Sequence, residues 1–113
     1  MIICGKPVFV KNCEFNSRPV ANQFEIFNGN TVTFQSYESP IATIDHDTKR
    51  VIIYPRYDYS RTTAKWRNRF FAGHNFCSLA LSTSADIKKY MENESMIYND
   101  YGIIYTVVKG TAE

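Results

Sequence analysis

The chain has little glycine, cysteine or histidine, and it has no long hydrophobic run. Among its 113 residues there are five glycines, three cysteines and two histidines. It contains no Gly-x-Ser-x-Gly, no phosphate-cradling glycine-rich loop and no His-Glu-x-x-His, so the corresponding hydrolase, nucleotide-loop and zinc-protease motifs are excluded. The longest apolar runs, such as residues 51–54, are too short to cross a membrane. We therefore expect no membrane span, and we expect a protein that is not an enzyme.

The three cysteines do not fit a cross-linked or metal-bound scaffold. Cys4, Cys13 and Cys77 are odd in number and form no Cys-x-x-Cys pair, so neither a closed disulfide set nor a structural zinc site is expected. We interpret them as partly buried thiols in a reducing compartment, and Cys13, beside Lys11, would be reactive only if exposed. The apolar N-terminal stretch is interrupted at Gly5, unlike a signal peptide. The expected location is the cytoplasm of a bacterial host, with no metal and no cofactor.

Aromatic residues, in contrast, are abundant. They make up 15% of the chain, and eight are Tyr and eight are Phe. Disordered chains are poor in aromatic residues, so this composition predicts a folded protein. The length suits one domain, which we assign to residues 1–113. We place Phe24, Phe34, Trp66 and Phe70 mainly in the core.

Alternation of apolar and polar residues predicts an antiparallel sheet of about five strands. A short strand is expected at residues 6–10, followed by a connection over residues 11–21. Residues 23–27 and 31–35 alternate on either side of Asn28-Gly29-Asn30, which is a strong local signal for a β-hairpin.

A second hairpin is expected between residues 41–44 and residues 50–54. Pro40 cannot donate to a sheet ladder, so it should begin its strand or lie on an edge. The two hairpins form a meander over residues 23–54. A final strand, over residues 103–108, is apolar on both faces and is expected to be central or covered.

Two helices are expected between the meander and the final strand. The first covers residues 60–72, with Ser60 as N-cap and Gly73 as C-cap. Its apolar side is formed by Thr62, Thr63, Trp66 and Phe70. The second covers residues 84–92, begins at a Thr83–Asp86 capping box and has an apolar face of Ile87, Tyr90 and Met91. The chain is thus predicted to adopt an α+β fold in which both helices pack on one face of an antiparallel sheet.

The formal net charge of +2 conceals a concentrated basic segment. Residues 49–69 carry a net charge of +6, whereas residues 1–48 and residues 70–113 each carry −2. Seven basic residues lie in this segment, five of them Arg, together with several aromatic residues. The candidate binding residues are Lys49, Arg50, Arg56, Tyr57, Tyr59, Arg61, Lys65 and Arg69.

Three interpretations of the basic segment stay open. Arginine and aromatic residues are typical of the energetically dominant positions of protein interfaces. They are also typical of nucleic-acid surfaces, where they contact phosphates and stack on bases. The third interpretation is the solvated face of an amphipathic helix, which is commonly basic.

Few residues suggest catalysis. His46 lies between Asp45 and Asp47, but the triplet falls in an expected hairpin turn, where Asp favours the turn geometry. His74 follows the first helix, where a protonated imidazole favourably meets the helix dipole. A nucleophilic pair of Cys77 and His74 would lack a visible third group. A small enzyme using His46 or His74 is therefore the weakest of the functional hypotheses.

Two stretches resemble a family of small uncharacterised proteins of phages and mobile elements. The first is Phe34-Gln35-Ser36-Tyr37-Glu38-Ser39-Pro40-Ile41-Ala42. The second is Tyr57-Asp58-Tyr59-Ser60-Arg61-Thr62-Thr63-Ala64-Lys65-Trp66, followed by Asn68-Arg69-Phe70. In that family, a strand with a Ser-Tyr pair leads through a second strand into a Tyr-Ser-x-Thr-Thr helix start.

The resemblance covers residues 34–71 and implies a genomic setting rather than a chemistry. The leading hypothesis is a small non-enzymatic protein that binds a host or phage macromolecule, for example an inhibitor of a host defence system such as a CRISPR effector. The alternative is a nucleic-acid-binding protein that uses the basic segment. A monomer or a homodimer is compatible with either, because an exposed sheet edge can pair across a two-fold axis.

Overall fold

A mixed β-sheet with two helices on one face forms the protein. A computed structural model describes residues 2–3, 6–76, 81 and 83–111. The strands and helices, in chain order, are β1 (Ile2–Ile3), β2 (Lys6–Phe15), β3 (Arg18–Asn28), β4 (Thr31–Ser36), β5 (Ser39–Asp45), β6 (Arg50–Ile53), α1 (Arg61–Gly73), α2 (Ser84–Glu92), β7 (Met96–Tyr98) and β8 (Ile104–Lys109). The α+β class is confirmed, with more strands than the five expected.

The sheet is antiparallel except at one junction. Strands β2 to β6 form a continuous meander, and the short β1 extends it beyond β2. After β6 the chain passes through both helices and returns as β8, which pairs parallel with β6. β7 lies outside β8 and pairs antiparallel with it. The final strand is therefore interior in the sheet order, as expected, but β7 was not predicted because it has only three residues.

The expected connection over residues 11–21 is wrong, because these residues continue β2 and begin β3. The two strands form a long hairpin that turns at Asn16 and Ser17, both with positive φ of 52° and 65°. Asn tolerates this conformation, and the Asn-Ser pair takes the place of the more familiar Asn-Gly. A register shift between Asn12 and Glu14 interrupts the alternation, which hides the strand in the sequence.

Helix α1 begins where the sequence predicts. The Ser60 Oγ accepts a hydrogen bond from the Thr63 N–H at 3.1 Å. At the other end, the expected C-cap is wrong, since Gly73 is still helical and His74 is the capping residue. Asn75 then takes the positive φ of 74° that glycine often provides. Thr62 was expected on the apolar side but is exposed.

The core lies between the helices and one face of the sheet. Phe34 of β4 stacks on Phe70 of α1 with ring centroids 5.7 Å apart, and Ile87 of α2 is fully buried. Tyr90 and Met91 pack against the same cluster from α2, as predicted. Phe24 is an exception to the predicted core, because it is only half-buried and lines a pocket instead.

The opposite face of the sheet carries a chain of hydroxyl groups. Thr33 and Thr43 are 2.7 Å apart through their Oγ1 atoms, and the Tyr54 hydroxyl lies 2.9 Å from Thr43 Oγ1. These residues alternate with core residues along their strands, which places them on the other face. Among the residues that the structure describes, no helix is long and apolar enough to cross a membrane.

Candidate functional site

The basic segment is divided by the fold into separate places. Lys49 and Arg50 lie at the β5–β6 turn, where Arg50 pairs with Asp45 at one end of β5. Arg56 lies at the opposite end of β5, beside the β4–β5 turn. Arg61, Lys65 and Arg69 are exposed along α1. The sequence therefore groups cations that the structure separates.

Arg61, Lys65 and Arg69 form what we name the α1 basic face. Their spacing of four residues places successive cations about 6 Å apart along the helix axis. In the part of the chain described, none of the three forms an ion pair. This face therefore has unneutralised positive charge in solvent.

Two aromatic rings lie beneath the α1 basic face. The Arg69 guanidinium is 4.7 Å from the Trp66 ring centroid and 5.0 Å from the Phe15 centroid. Lys65 Nζ lies 5.4 Å from Trp66 and 5.9 Å from Phe15. Phe15 comes from the tip of the β2–β3 hairpin and is 49% exposed, whereas Trp66 is buried. Cation–π contacts of this kind hold the cations in position at the surface.

Arg67 is the basic residue of this segment that cannot contact a partner. Its side chain is completely buried, where it donates to the Tyr57 carbonyl at 2.7 Å and to the Ser84 hydroxyl at 3.1 Å. The Asp58 carboxylate lies 3.8 Å away and itself accepts from Ser84 at 2.7 Å. Burial lowers the pKa of Arg67 from its ordinary value, against the opposing effect of Asp58. Arg67 thus joins α1 to the start of α2.

Tyr57 is also largely structural. It is half-buried and packs against the core, and burial raises the pKa of its hydroxyl. The prediction that Tyr57 belongs to a binding face is therefore not favoured by its position. Tyr59, in contrast, is 61% exposed.

The Ser-Tyr pair and the Tyr-Ser-x-Thr-Thr helix start meet in space. The Ser36 Oγ of β4 lies 3.0 Å from Thr63 Oγ1 of α1, and Thr63 is fully buried. Ser60 Oγ donates to the same Thr63 oxygen at 3.1 Å. These hydroxyl groups fix the start of α1 to the end of β4, so Tyr37 and Tyr59 are positioned beside this junction.

A pocket of about 600 Å³ opens at this junction, and we name it the tyrosine pocket. Tyr37 and Tyr59 stand at it, 49% and 61% exposed, and the Arg56 guanidinium lies 5.2 Å from the Tyr59 ring centroid. Its polar groups also include Asn22, Glu38 and Ser39. The charge pattern of the sequence identified Arg56 and Tyr59 but missed the others, because they come from the β4–β5 turn, the start of β5 and β3.

A second cleft, of about 310 Å³, lies between α1 and strands β2 and β3. Within it, His74 Nε2 is 2.5 Å from Glu25 Oε1, and Lys11 Nζ is 3.9 Å from Glu25 Oε2. Cys13 also lines this cleft, but its thiol is buried, which together with Glu25 raises its pKa to about 11. Such a thiol is neutral at physiological pH and is a poor nucleophile.

The remaining catalytic candidates make hydrogen bonds within the fold or lie outside the described residues. Asp45 Oδ1 accepts from the Asp47 and Thr48 N–H groups, which confirms the turn interpretation. His46 Nδ1 lies 2.7 Å from the Tyr105 hydroxyl. Cys4 and Cys77 lie outside the described residues, so the expected pair of Cys77 with His74 is also outside them. Within the described ranges no group of three or more His, Cys, Asp and Glu side chains could hold a metal ion.

One comparison with known proteins gives a result. Residues 11–89, which are more than half of the chain, match the model of DUF8033, a protein family of unknown function. The matched range contains the α1 basic face and the whole tyrosine pocket. No curated protein and no solved structure matches the chain.

Proposed function

The chain belongs to the DUF8033 family, whose function is unknown, and we propose that it is a non-enzymatic binding protein that docks a protein partner on the α1 basic face. The observation that carries this proposal is the set of three exposed cations that form no ion pair with any described residue, two of which lie on aromatic rings. Arginine and aromatic residues are enriched among the few residues that dominate binding energy at protein interfaces. The complementary partner surface is acidic.

Separation of the basic residues favours a protein partner over a nucleic-acid strand. Arg67 is buried, and Lys49 and Arg50 lie at the other end of the sheet from Arg56. A short row of three cations neutralises only a few phosphates, and the affinity for nucleic acid rises with that number. The narrower version, an inhibitor of a host defence system, depends on the resemblance to phage proteins alone.

Charge reversal tests the proposed face. The triple variant Arg61→Glu, Lys65→Glu and Arg69→Glu should lose a partner that the unchanged protein captures from host-cell lysate. The matched control reverses Lys88 and Lys89, which are exposed on α2. All three changes lie on the solvent side of α1, so circular dichroism should show an intact fold. Undiminished capture by the triple variant would exclude the α1 basic face as the interface.

A gel shift with single-stranded and double-stranded DNA and RNA at two salt concentrations tests the alternative. Binding that depends on the α1 basic face, with a salt dependence corresponding to several phosphates, would favour nucleic acid as the partner. Absence of a shift at low salt would exclude nucleic acid on this face.

A further inference from the structure

The tyrosine pocket has the volume of a small-molecule site. Its volume of about 600 Å³ falls within the range of about 300–1,000 Å³ that is typical of such sites. It lies outside the α1 basic face, and none of its polar groups is used in the docking proposed above.

Tyr37 is held at the pocket in an unfavourable backbone conformation. Its φ is 57°, in a region that costs a residue with a side chain about 1–2 kcal/mol. The Tyr37 N–H donates to the Asn22 carbonyl at 2.6 Å, and Asn22 also has a positive φ, of 65°. Tyr37 is in the two-residue turn between β4 and β5, and hairpin turns of this length commonly require a positive φ. This conformation leaves the Tyr37 ring half exposed at the pocket.

The charged groups of the pocket define two further features of a ligand. Arg56 is exposed, forms no ion pair with any described residue and stacks near Tyr59, so its guanidinium can meet an anionic oxygen group bidentately. Glu38 presents a carboxylate that accepts hydrogen bonds from N–H groups. Asn22 and Ser39 can both donate and accept. A matching ligand has a planar ring, an anionic group and N–H donors on the ring edge.

We propose that the tyrosine pocket binds a nucleotide, with the base against Tyr37 and Tyr59, the phosphate on Arg56 and the amino edge of the base toward Glu38. Stacking on tyrosine is available to every base, because each has a π-face. The carboxylate adds a preference for bases with an exocyclic amino group, as in guanine, adenine and cytosine, over uracil. The same chemistry is offered by a free mononucleotide and by one nucleotide of a single strand.

Titration of the full chain separates these sources. We would add GMP, AMP, CMP, UMP, inorganic phosphate and a six-nucleotide single strand in turn, and follow backbone amide shifts by NMR and heats of binding by calorimetry. Saturable shifts at Tyr37, Glu38 and Tyr59 with the amino-bearing mononucleotides support a free nucleotide as ligand. Saturation by the strand alone supports a strand nucleotide. Equal affinity for inorganic phosphate would overturn the base-binding role.

Variants at the pocket give the quantitative test. Arg56→Ala should weaken nucleotide binding at least tenfold, because it removes a charge-assisted pair of hydrogen bonds. Tyr59→Leu should weaken it several-fold by removing a stacking surface. Glu38→Gln should reduce the preference for amino-bearing bases over UMP. Lys88→Ala, at an exposed position of α2, is the control and should leave binding unchanged.

All of these residues are exposed, so equal urea midpoints will show that the variants are folded. Binding that is insensitive to Arg56→Ala and Tyr59→Leu, or absence of binding by every nucleotide and strand, would overturn the proposal. Reversal of the α1 basic face should leave nucleotide binding in place, which distinguishes this site from the docking face.

Discussion

At the scale of single residues, the basic side chains of one segment have opposite roles. Arg67 and Arg69 are two positions apart on α1, yet Arg67 is completely buried and Arg69 is exposed over Trp66. The helical period explains the difference, because residues two apart point to well-separated sides of the helix. Arg67 donates hydrogen bonds to the Tyr57 carbonyl and to the Ser84 hydroxyl oxygen from a fully buried position, so its role is in stability.

Replacement of Arg67 by Met should destabilise the protein by about 2 kcal/mol or more, because the Tyr57 carbonyl and the Ser84 hydroxyl lose their donor. Met keeps much of the buried volume, so the decrease in the free energy of unfolding reports mainly the lost hydrogen bonds. Arg69→Met, on the exposed side, should change the free energy of unfolding by no more than about 0.5 kcal/mol. Urea denaturation measures both. Equal small effects would show that Arg67 is not a structural link.

His46 should make stability depend on pH. Burial, together with the nearby charges of His74 and Lys49, lowers the pKa of His46 below its ordinary value of 6.5. The unfolded chain then binds a proton at higher pH than the folded chain, so the free energy of unfolding decreases as the pH falls below about 6.5. His46→Gln should lose less stability than the unchanged protein between about pH 7.5 and pH 5.5. Urea titrations at the two pH values measure the free energy of unfolding of both proteins. Equal losses of that free energy in the variant and in the unchanged protein would contradict the role of His46.

At the scale of elements, the ends of the strands and helices carry the residues of the two proposed sites. The β2–β3 hairpin brings Phe15 under the α1 basic face, and the β4–β5 turn brings Tyr37 to the tyrosine pocket. Ser60 begins α1 beside the same pocket. The sites thus depend on turns whose backbone conformations are fixed.

The backbone conformation of the β2–β3 turn can be tested through its effect on stability. Ser17 has a φ of 65°, which glycine adopts without the cost that a Cβ atom imposes. Ser17→Gly should therefore stabilise the protein by about 0.5 kcal/mol, and Ser17→Val should destabilise it by about 1 kcal/mol. The midpoint of urea unfolding should move in opposite directions for the two variants. A change of the same sign in both would contradict the turn geometry.

At the scale of the whole molecule, local signals in the sequence explain the central part of the fold. The Asn28-Gly29-Asn30 turn, the Ser60 cap and the Thr83–Asp86 cap all occur where the residue types predict them. The long β2–β3 hairpin was hidden by a bulge and an Asn-Ser turn, and β7 by its shortness. The parallel pairing of β6 with β8 could not be inferred, because it joins segments on either side of two helices.

The candidate sites were only partly predictable for a related reason. Charge density identified Arg56, Tyr59 and the α1 basic face, since these lie in one stretch of sequence. It did not separate Arg67 from its neighbours, and it did not find Asn22, Tyr37 or Glu38, which the sheet brings to the tyrosine pocket. A binding protein with two neighbouring but distinct surfaces is the account that these positions support.

Site-specific photo-crosslinking on α1 tests the docking face most directly. A photoreactive phenylalanine would replace Thr62, which is exposed beside Arg61, and in a control would replace Lys88 on α2. After irradiation in bacterial cell lysate, we expect a discrete protein adduct at position 62 and none at position 88. The adduct should be lost when Arg61, Lys65 and Arg69 are changed to Glu. An adduct at position 62 that survives charge reversal, or none at position 62, would contradict the account.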